Sequence, residues 1–255
     1  MRAPDELRAL VEGYLSSLDL SGDLGDLRDS MRYSLAGGGK RIRPVLCLAT
    51  AEAVGCEPEQ ALPAAAALEL VHSFSLVHDD LPALDDDAVR RGRPSTHIQW
   101  GEDVAILAGD ALFGEALRLA LSYQSPAVAR ELVAATQGMI GGQYLDISGS
   151  GELEQLHRLK TGRLFVAAIG LALEVAELPA SEQAPWRAFG EELGLLFQLV
   201  DDLLDRDGYV LVHGVEETRR LADEAAARAQ AKLSEIDADT SVLAGITGSL
   251  VSRTS

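Results

Sequence analysis

Cysteine is nearly absent from this 255-residue chain: Cys47 and Cys56 are the only two, and neither lies in a CxxC or Cys/His cluster. Two thiols cannot build a disulfide framework, so they read as reduced core or surface thiols of a cytoplasmic protein. Positive charge is scarce too. With 22 Lys and Arg against 40 Asp and Glu the net charge is −18, which argues against a nucleic-acid or anionic-membrane surface. An anionic ligand would need cations to mediate its binding. No segment approaches the roughly 18 apolar residues of a membrane span. The N-terminal MRAPDELRALVEGYL carries charges where a secretory leader is apolar. The expectation is a soluble, unprocessed chain with no membrane span and no nucleic-acid partner.

What is present is helical. The 47% hydrophobic content can bury a sizeable core. Ala, Leu and Glu dominate, and apolar residues recur at three- and four-residue spacing between short turn signals, which predicts an all-α chain of one domain. The spacing predicts helices over 4–19, 27–36, 44–54, 60–80, 103–122, 126–147, 152–175, 181–206, 215–235 and 239–252, with Pro44, Pro63 and Pro126 in first turns. Helices 60–80 and 181–206 are apolar around most of their circumference and belong at the centre of a bundle.

Two acidic clusters end these central helices, LVHDDLPALDDD at 76–87 and LLFQLVDDLLD at 195–205. Carboxylates at a helix C-terminus face the unfavourable end of its dipole, at about 0.3–1 kcal/mol each. Their flanks are Leu, Val and Phe rather than Lys, and buried carboxylates in such numbers demand a cation or proton uptake. Asp201 and Asp205, four apart, lie about 40° apart around a helix and can share one ion. Asp79 and Asp86 would share a regular helical face whereas Asp79 and Asp85 would not, but Pro82 loosens the helix enough that either remains open. An all-oxygen donor set open to a phosphate ligand favours magnesium.

Basic knots complement these clusters. GGGKRIRP at 37–44 offers flexible backbone with Lys40, Arg41 and Arg43, without being a Walker loop, and RRGRP adds Arg90 and Arg91 just past the first cluster. RLKTGRLF puts Lys160 and Thr161 inside an apolar helix, where a point cation and a hydroxyl suit a phosphate. Gln198 lies three residues before Asp201, and His72 seven before Asp79, on shared faces. The picture is a cavity with metals on two walls and basic groups at its mouth.

In order along the chain, GGGKRIRP, ELVHSFSLVHDDLPALDDDAVRRGRPSTH, AILAGDALF, GMIGGQYLDI, KTGRLF and FQLVDDLLD resemble the motifs of the trans-polyprenyl diphosphate synthase family, most like bacterial farnesyl and geranylgeranyl diphosphate synthases. The resemblance implies an isoprenoid synthase bundle around a deep central cavity, in a cytoplasmic homodimer. It implies a prenyltransferase that condenses isopentenyl diphosphate with an allylic diphosphate, head to tail. Asp79 and Asp85 would hold two Mg²⁺ and Asp201 a third, with Asp80, Asp86 and Asp205 as outer ligands and Asp87 solvated. Arg90, Lys160, Thr161 and Gln198 would contact the allylic diphosphate; Lys40, Arg43, His72 and Arg91 would bind the isopentenyl diphosphate. Phe74, five before Asp79, would floor the cavity and stop elongation, giving a C15 product.

One departure stands out. Where the family continues after its last aspartate with a lysine-bearing, glycine-rich loop, this chain reads RDGYVLVHGVEETRRLADEA, and Arg206 is the nearest basic substitute. Two readings follow: an active enzyme with a more open site, or a degenerate subunit that binds prenyl diphosphates or regulates a heteromeric synthase. A terpene cyclase on the same fold would have no use for Lys40, Arg43 and Arg91.

Overall fold

Helix boundaries follow the apolar spacing closely. The computed structural model describes residues 1–20, 23–36 and 38–252, so Gly37 of the GGGKRIRP segment lies outside the described residues. The long helices are α1 (Pro4–Ser17), α2 (Leu27–Ala36), α3 (Ile42–Ala53), α4 (Pro58–Asp79), α6 (Glu102–Ala120), α7 (Ala127–Ser148), α9 (Arg163–Val175), α10 (Ala184–Asp205), α12 (Val215–Ser234) and α13 (Ser241–Val251). Among the described residues three five-residue helices, α5 (Thr96–Trp100), α8 (Leu153–His157) and α11 (Tyr209–His213), complete the α-helices, and a 3-10 turn spans Ala180–Glu182. A β-hairpin pairs β1 (Val89–Arg90) with β2 (Arg93–Pro94).

The expected helix 152–175 is broken: α8 passes through a π-helical turn, Arg158–Gly162, before α9 begins. Such turns are rare and recur at functional sites. Pro63 is not in a first turn. Helix α4 starts earlier, with Pro58 at its N-terminus, which leaves Pro63 inside the helix.

Helix α4 is the axis of the bundle, packed between α3, α6 and α9. Its uniform apolarity follows from that position, because every face meets another helix. By length and hydropathy α4 could cross a membrane, against the expectation that no segment would; yet 67% of its most apolar window is buried inside the protein. Helix α9 is almost wholly buried between α7 and α10, and α12 covers the far side of α10. Both cysteines are buried free thiols, and burial pushes that of Cys47 up to about 12.

The π turn is seated by a close backbone approach. A Cβ on Gly142 of α7 would sit 2.3 Å from the amide nitrogen of Lys160, whereas one on the adjacent Gly141 would meet nothing within 4 Å. Backbone cannot swing aside as a side-chain tip can. Gly142→Ala should therefore destabilise the fold by about 1–3 kcal/mol, while Gly141→Ala should stabilise it by up to about 1 kcal/mol through helix propensity. Denaturant midpoints of the two variants check the opposite signs.

Candidate active site

The C-terminus of α4 unwinds through a tight series of bonds. The N–H of Asp80 donates to Leu76 O, that of Leu81 to His78 O, and that of Leu84 to Leu81 O. The amide of Asp85 then donates to the carbonyl of Asp79 at 2.9 Å, and Asp86, at φ 53°, donates to Leu81 O. The chain thus curls back and brings Asp85 beside Asp79. Asp86 sits at the left-handed residue of the turn, off the helical face it would have shared with Asp79.

Two cavities meet on α4. One, of about 370 Å³, is lined by Asp79, Phe74, Lys160, Thr161, Gln143 and Tyr144 among others. The second, of about 400 Å³, is lined by Lys40, Arg41, Arg43, Arg90, Arg91 and Asp201, with Glu69. Arg43, His72 and Leu76 belong to both walls, so the cavities share a partition.

The second cavity gathers Lys40 and four arginines around one space. Arg43 stacks over Phe165 at 4.8 Å and near Phe197 at 5.7 Å, and its Nε is buried with no hydrogen-bond partner. Burial lowers its pKa. Burial, reinforced by Arg43, Arg91, Arg41 and Arg90, holds His72 well below the ordinary histidine range, so its imidazole is neutral. The turn at Arg91 and Gly92 has both residues at positive φ, as a tight hairpin requires, and carries the Arg91 guanidinium to the carbonyl of Gly38. Lys40 is exposed at the rim.

In the first cavity Lys160 pairs with Asp146 at 2.5 Å. Phe74, 8% exposed, packs against Phe113 at 5.3 Å and His78 at 5.7 Å, forming an aromatic block one helical turn below Asp79. Burial pushes the Asp79 carboxyl from 3.8 up to about 6, with Lys160 opposing the shift and Asp85 and Asp80 adding to it.

Several residues stand apart from where the motifs suggested. Gln198 does not join Lys160 and Thr161. Its Nε2 donates to Asp202 at 2.7 Å, because the two are one helical turn apart on α10, and it lines a separate 220 Å³ groove. Arg90 lines the basic cavity with Arg43 and Arg91 rather than the Asp79 cavity, because Asp80 and Asp87 hold it at 2.5 and 2.7 Å. Asp80, 2% exposed, is thereby a counter-ion; Asp87, half exposed, is paired rather than merely solvated. Arg41 turns inward to Glu69 at 2.5 Å and Glu12 at 2.8 Å, and braces the fold. Asp205 and Arg206 are exposed at the end of α10.

Sequence reasoning passed over Asp146 and Gln143. A lysine in an apolar helix needs a counter-ion, and Asp146, in the quoted GGQYLD segment, supplies it. Gln143 Oε1 is buried without a partner at the wall of the Asp79 cavity; no pattern in the sequence marks it.

Hard, all-oxygen donors suit magnesium at this site. Asp79 and Asp85 could offer such donors beside the apolar cavity, and Asp201 could offer one at the wall of the basic cavity. Among the described residues no three acidic, histidine or cysteine side chains converge closely enough to hold a metal alone. Water and ligand oxygens would have to complete the shell, as is usual for magnesium with phosphates. Two Glu-x-x-His pairs, Glu69 with His72 and Glu154 with His157, do not make a di-iron site, since Glu69 is committed to Arg41.

A sequence profile of the polyprenyl synthetase family matches residues 25–214, which include both aspartate motifs. The chain belongs to the polyprenyl synthetase family. It is 41% identical over 217 residues to a geranylgeranyl diphosphate synthase of Cyanophora paradoxa, spanning 78% of this chain and 72% of that one. It is 38% identical over 215 residues to the farnesyl diphosphate synthase of Bacillus subtilis (strain 168), spanning 78% and 73%. The fold superposes on an FPP/GFPP synthase from Zymomonas mobilis with a TM-score of 0.87 at 30% identity, over 97% of each chain. This polyprenyl synthetase is an enzyme of the prenyltransferase class on an all-α isoprenoid synthase fold.

Asp79 makes this site costly to the metal-free protein. A carboxyl whose pKa is raised on folding binds protons more tightly in the native state, so stability falls as pH rises from 3.8 toward about 6 and stays reduced above. In EDTA, Asp79→Asn should stabilise the fold near neutral pH by up to about 3 kcal/mol and have no stabilising effect below about pH 4. Unfolding midpoints across that range provide the check.

Proposed function

We propose that this polyprenyl synthetase condenses isopentenyl diphosphate with an allylic diphosphate, head to tail, to a short trans-prenyl diphosphate, with C15 as the main product. The observation that carries the reading is the partition between the two cavities. There a guanidinium, Arg43, keeps a buried donor unpartnered in a chain of net charge −18. A buried unpaired donor costs about 1–3 kcal/mol, which an anionic oxygen would recover on binding.

In this reading Lys40, Arg43, His72 and Arg91 bind the isopentenyl diphosphate in the basic cavity, with Arg90 at its edge. Lys160 and Thr161 hold the allylic diphosphate above the apolar cavity. Asp79, Asp85 and Asp201 would hold magnesium, which supplies Lewis-acid charge where the departing diphosphate gains negative charge. Lys160, released from Asp146, adds a fixed cation at the same place. Phe74, Met139, Ile140 and Leu164 line the apolar part of that cavity, keeping water from the allylic cation while the isopentenyl double bond attacks it. The released diphosphate accepts the proton lost afterwards, so no protein nucleophile is needed.

The short connection over residues 206–214 favours a second reading, a degenerate subunit that binds prenyl diphosphates for a heteromeric synthase. We also propose a cytoplasmic homodimer. Ile106 and Leu107 of α6, 45% and 55% exposed, are the apolar surface that supports it.

Purified chain with Mg²⁺, isopentenyl diphosphate and each of the C5, C10 and C15 allylic primers, with products sized by mass spectrometry, tests the reading. Condensation with at least one primer, abolished by EDTA, is expected; none with any primer would sink it in favour of the degenerate subunit. Asp79→Ala and Asp201→Ala should each lower kcat/KM by roughly a thousandfold, and Asp87→Ala by less than about tenfold.

Phe74→Ala should open the aromatic block and lengthen the main product. Unchanged product length would remove Phe74 from that role.

A further inference from the structure

The segment that stands where the family pattern has its lysine-bearing loop is tied down in a specific way. Asp202 is 5% exposed, and both its oxygens are used: Oδ1 accepts from Gln198 Nε2 and Oδ2 from the backbone N–H of Tyr209, each at 2.7 Å. Gly208, at φ +50°, permits this approach, since a Cβ there would lie 2.2 Å from Asp202 Oδ2. Tyr209 is thereby pinned at the start of α11, 7% exposed. Its ring stacks on His157 with centroids 5.2 Å apart and planes 26° apart, and His213 stacks near it at 5.9 Å.

His157 is the last residue of α8, immediately before the π turn that carries Lys160 and Thr161. That turn is held from one side by Gly142 and from another by Gly194, where a Cβ would lie 3.0 Å from Gly162 Cα. The stack of Tyr209 on His157 holds its start. A π turn persists only where its surroundings over-determine it. Relaxing it by one residue toward an α-helix would swing the following side chains by about 100°.

We propose that Tyr209 is a positioning residue: stacked on His157, it fixes the π turn and so aims Lys160 and Thr161 into the Asp79 cavity. The inference rests on the reading of that cavity as the allylic diphosphate site. Residues 206–213 then brace from behind, through the π turn, the diphosphate site over which the family's loop would close.

The test uses the full chain with Mg²⁺. Steady-state kinetics for both substrates are measured alongside calorimetric binding of a non-reactive allylic thiolodiphosphate, in wild type, Tyr209→Ala and Tyr209→Phe. Tyr209→Ala should lower kcat/KM for the allylic substrate by roughly ten- to a hundredfold and weaken thiolodiphosphate binding in parallel, with the isopentenyl KM within about twofold of wild type. Tyr209→Phe should match wild type, because no hydrogen bond among the described residues uses the hydroxyl.

An unchanged allylic KM and kcat in Tyr209→Ala overturns the proposal, as does an equal rise of both KM values. If Tyr209→Ala fails to fold, His157→Leu removes the same stack from the other side and is read by the same criteria. A wild type that binds the thiolodiphosphate without turnover defeats the catalytic reading alone, and the binding arm still decides the role of Tyr209. A wild type that neither turns over nor binds it overturns both.

Discussion

Neighbouring residues on a helix point about 100° apart, so an Asp–Asp pair cannot deliver two carboxylates to one cavity. Both pairs in this protein obey that constraint in the same way. Asp79 lines the apolar cavity while Asp80, 2% exposed, accepts from Arg90; Asp201 lines the basic cavity while Asp202, 5% exposed, accepts from Gln198 and the Tyr209 amide. The second aspartate of each pair is a structural acceptor that ties the next segment of chain to the helix end. Asp80 ties down the hairpin that carries Arg91, and Asp202 ties down α11.

The same division explains how the chain tolerates its charge. Asp80, Asp202 and Glu69 each have a hydrogen-bonding partner within the protein, which offsets the cost of burying them. Among the described residues Asp79 has no such hydrogen-bonding partner, and it answers burial by holding its proton more tightly, up to about 6. Arg43 shows the opposite side of the ledger, a cation with an unpartnered nitrogen. These two groups face cavities with a common wall, which a ligand combining a metal with diphosphate oxygens would neutralise together.

Much of this was legible in the residues. Apolar spacing located the long helices to within about three residues, and the circumferential apolarity of α4 told that it lies deep in the bundle, whereas α10 buries one side and leaves Glu191 and Leu204 exposed. Proximity that depends on how a helix ends was not legible. Whether Asp85 or Asp86 joins Asp79 turns on the bond from the Asp85 amide to the Asp79 carbonyl, which no helical period encodes. Gln198 was read by its spacing to Asp201, yet it lies nearer Asp202 around the helix, about 40° against about 60°, and bonds there because Asp202 is the buried acceptor. The hairpin at Val89–Pro94 was too short to show alternation, and the π turn has no composition of its own.

The hairpin and the π turn carry out one task at opposite walls. Each is a locally unfavourable piece of backbone, Arg91 at φ +53° in one and a widened helical turn in the other, and each presents cationic side chains to a cavity. Regular helix spaces side chains at fixed angles and would aim at most every third or fourth residue inward. A site that must converge on a compact, highly charged ligand needs donors from directions a straight helix does not offer. Buried acceptors recover the cost of departing from regular geometry: Asp80 anchors the first piece, and Asp202, through Tyr209 and His157, abuts the second. The aspartates that cannot reach the cavity thus supply the rigidity on which those that do reach it depend.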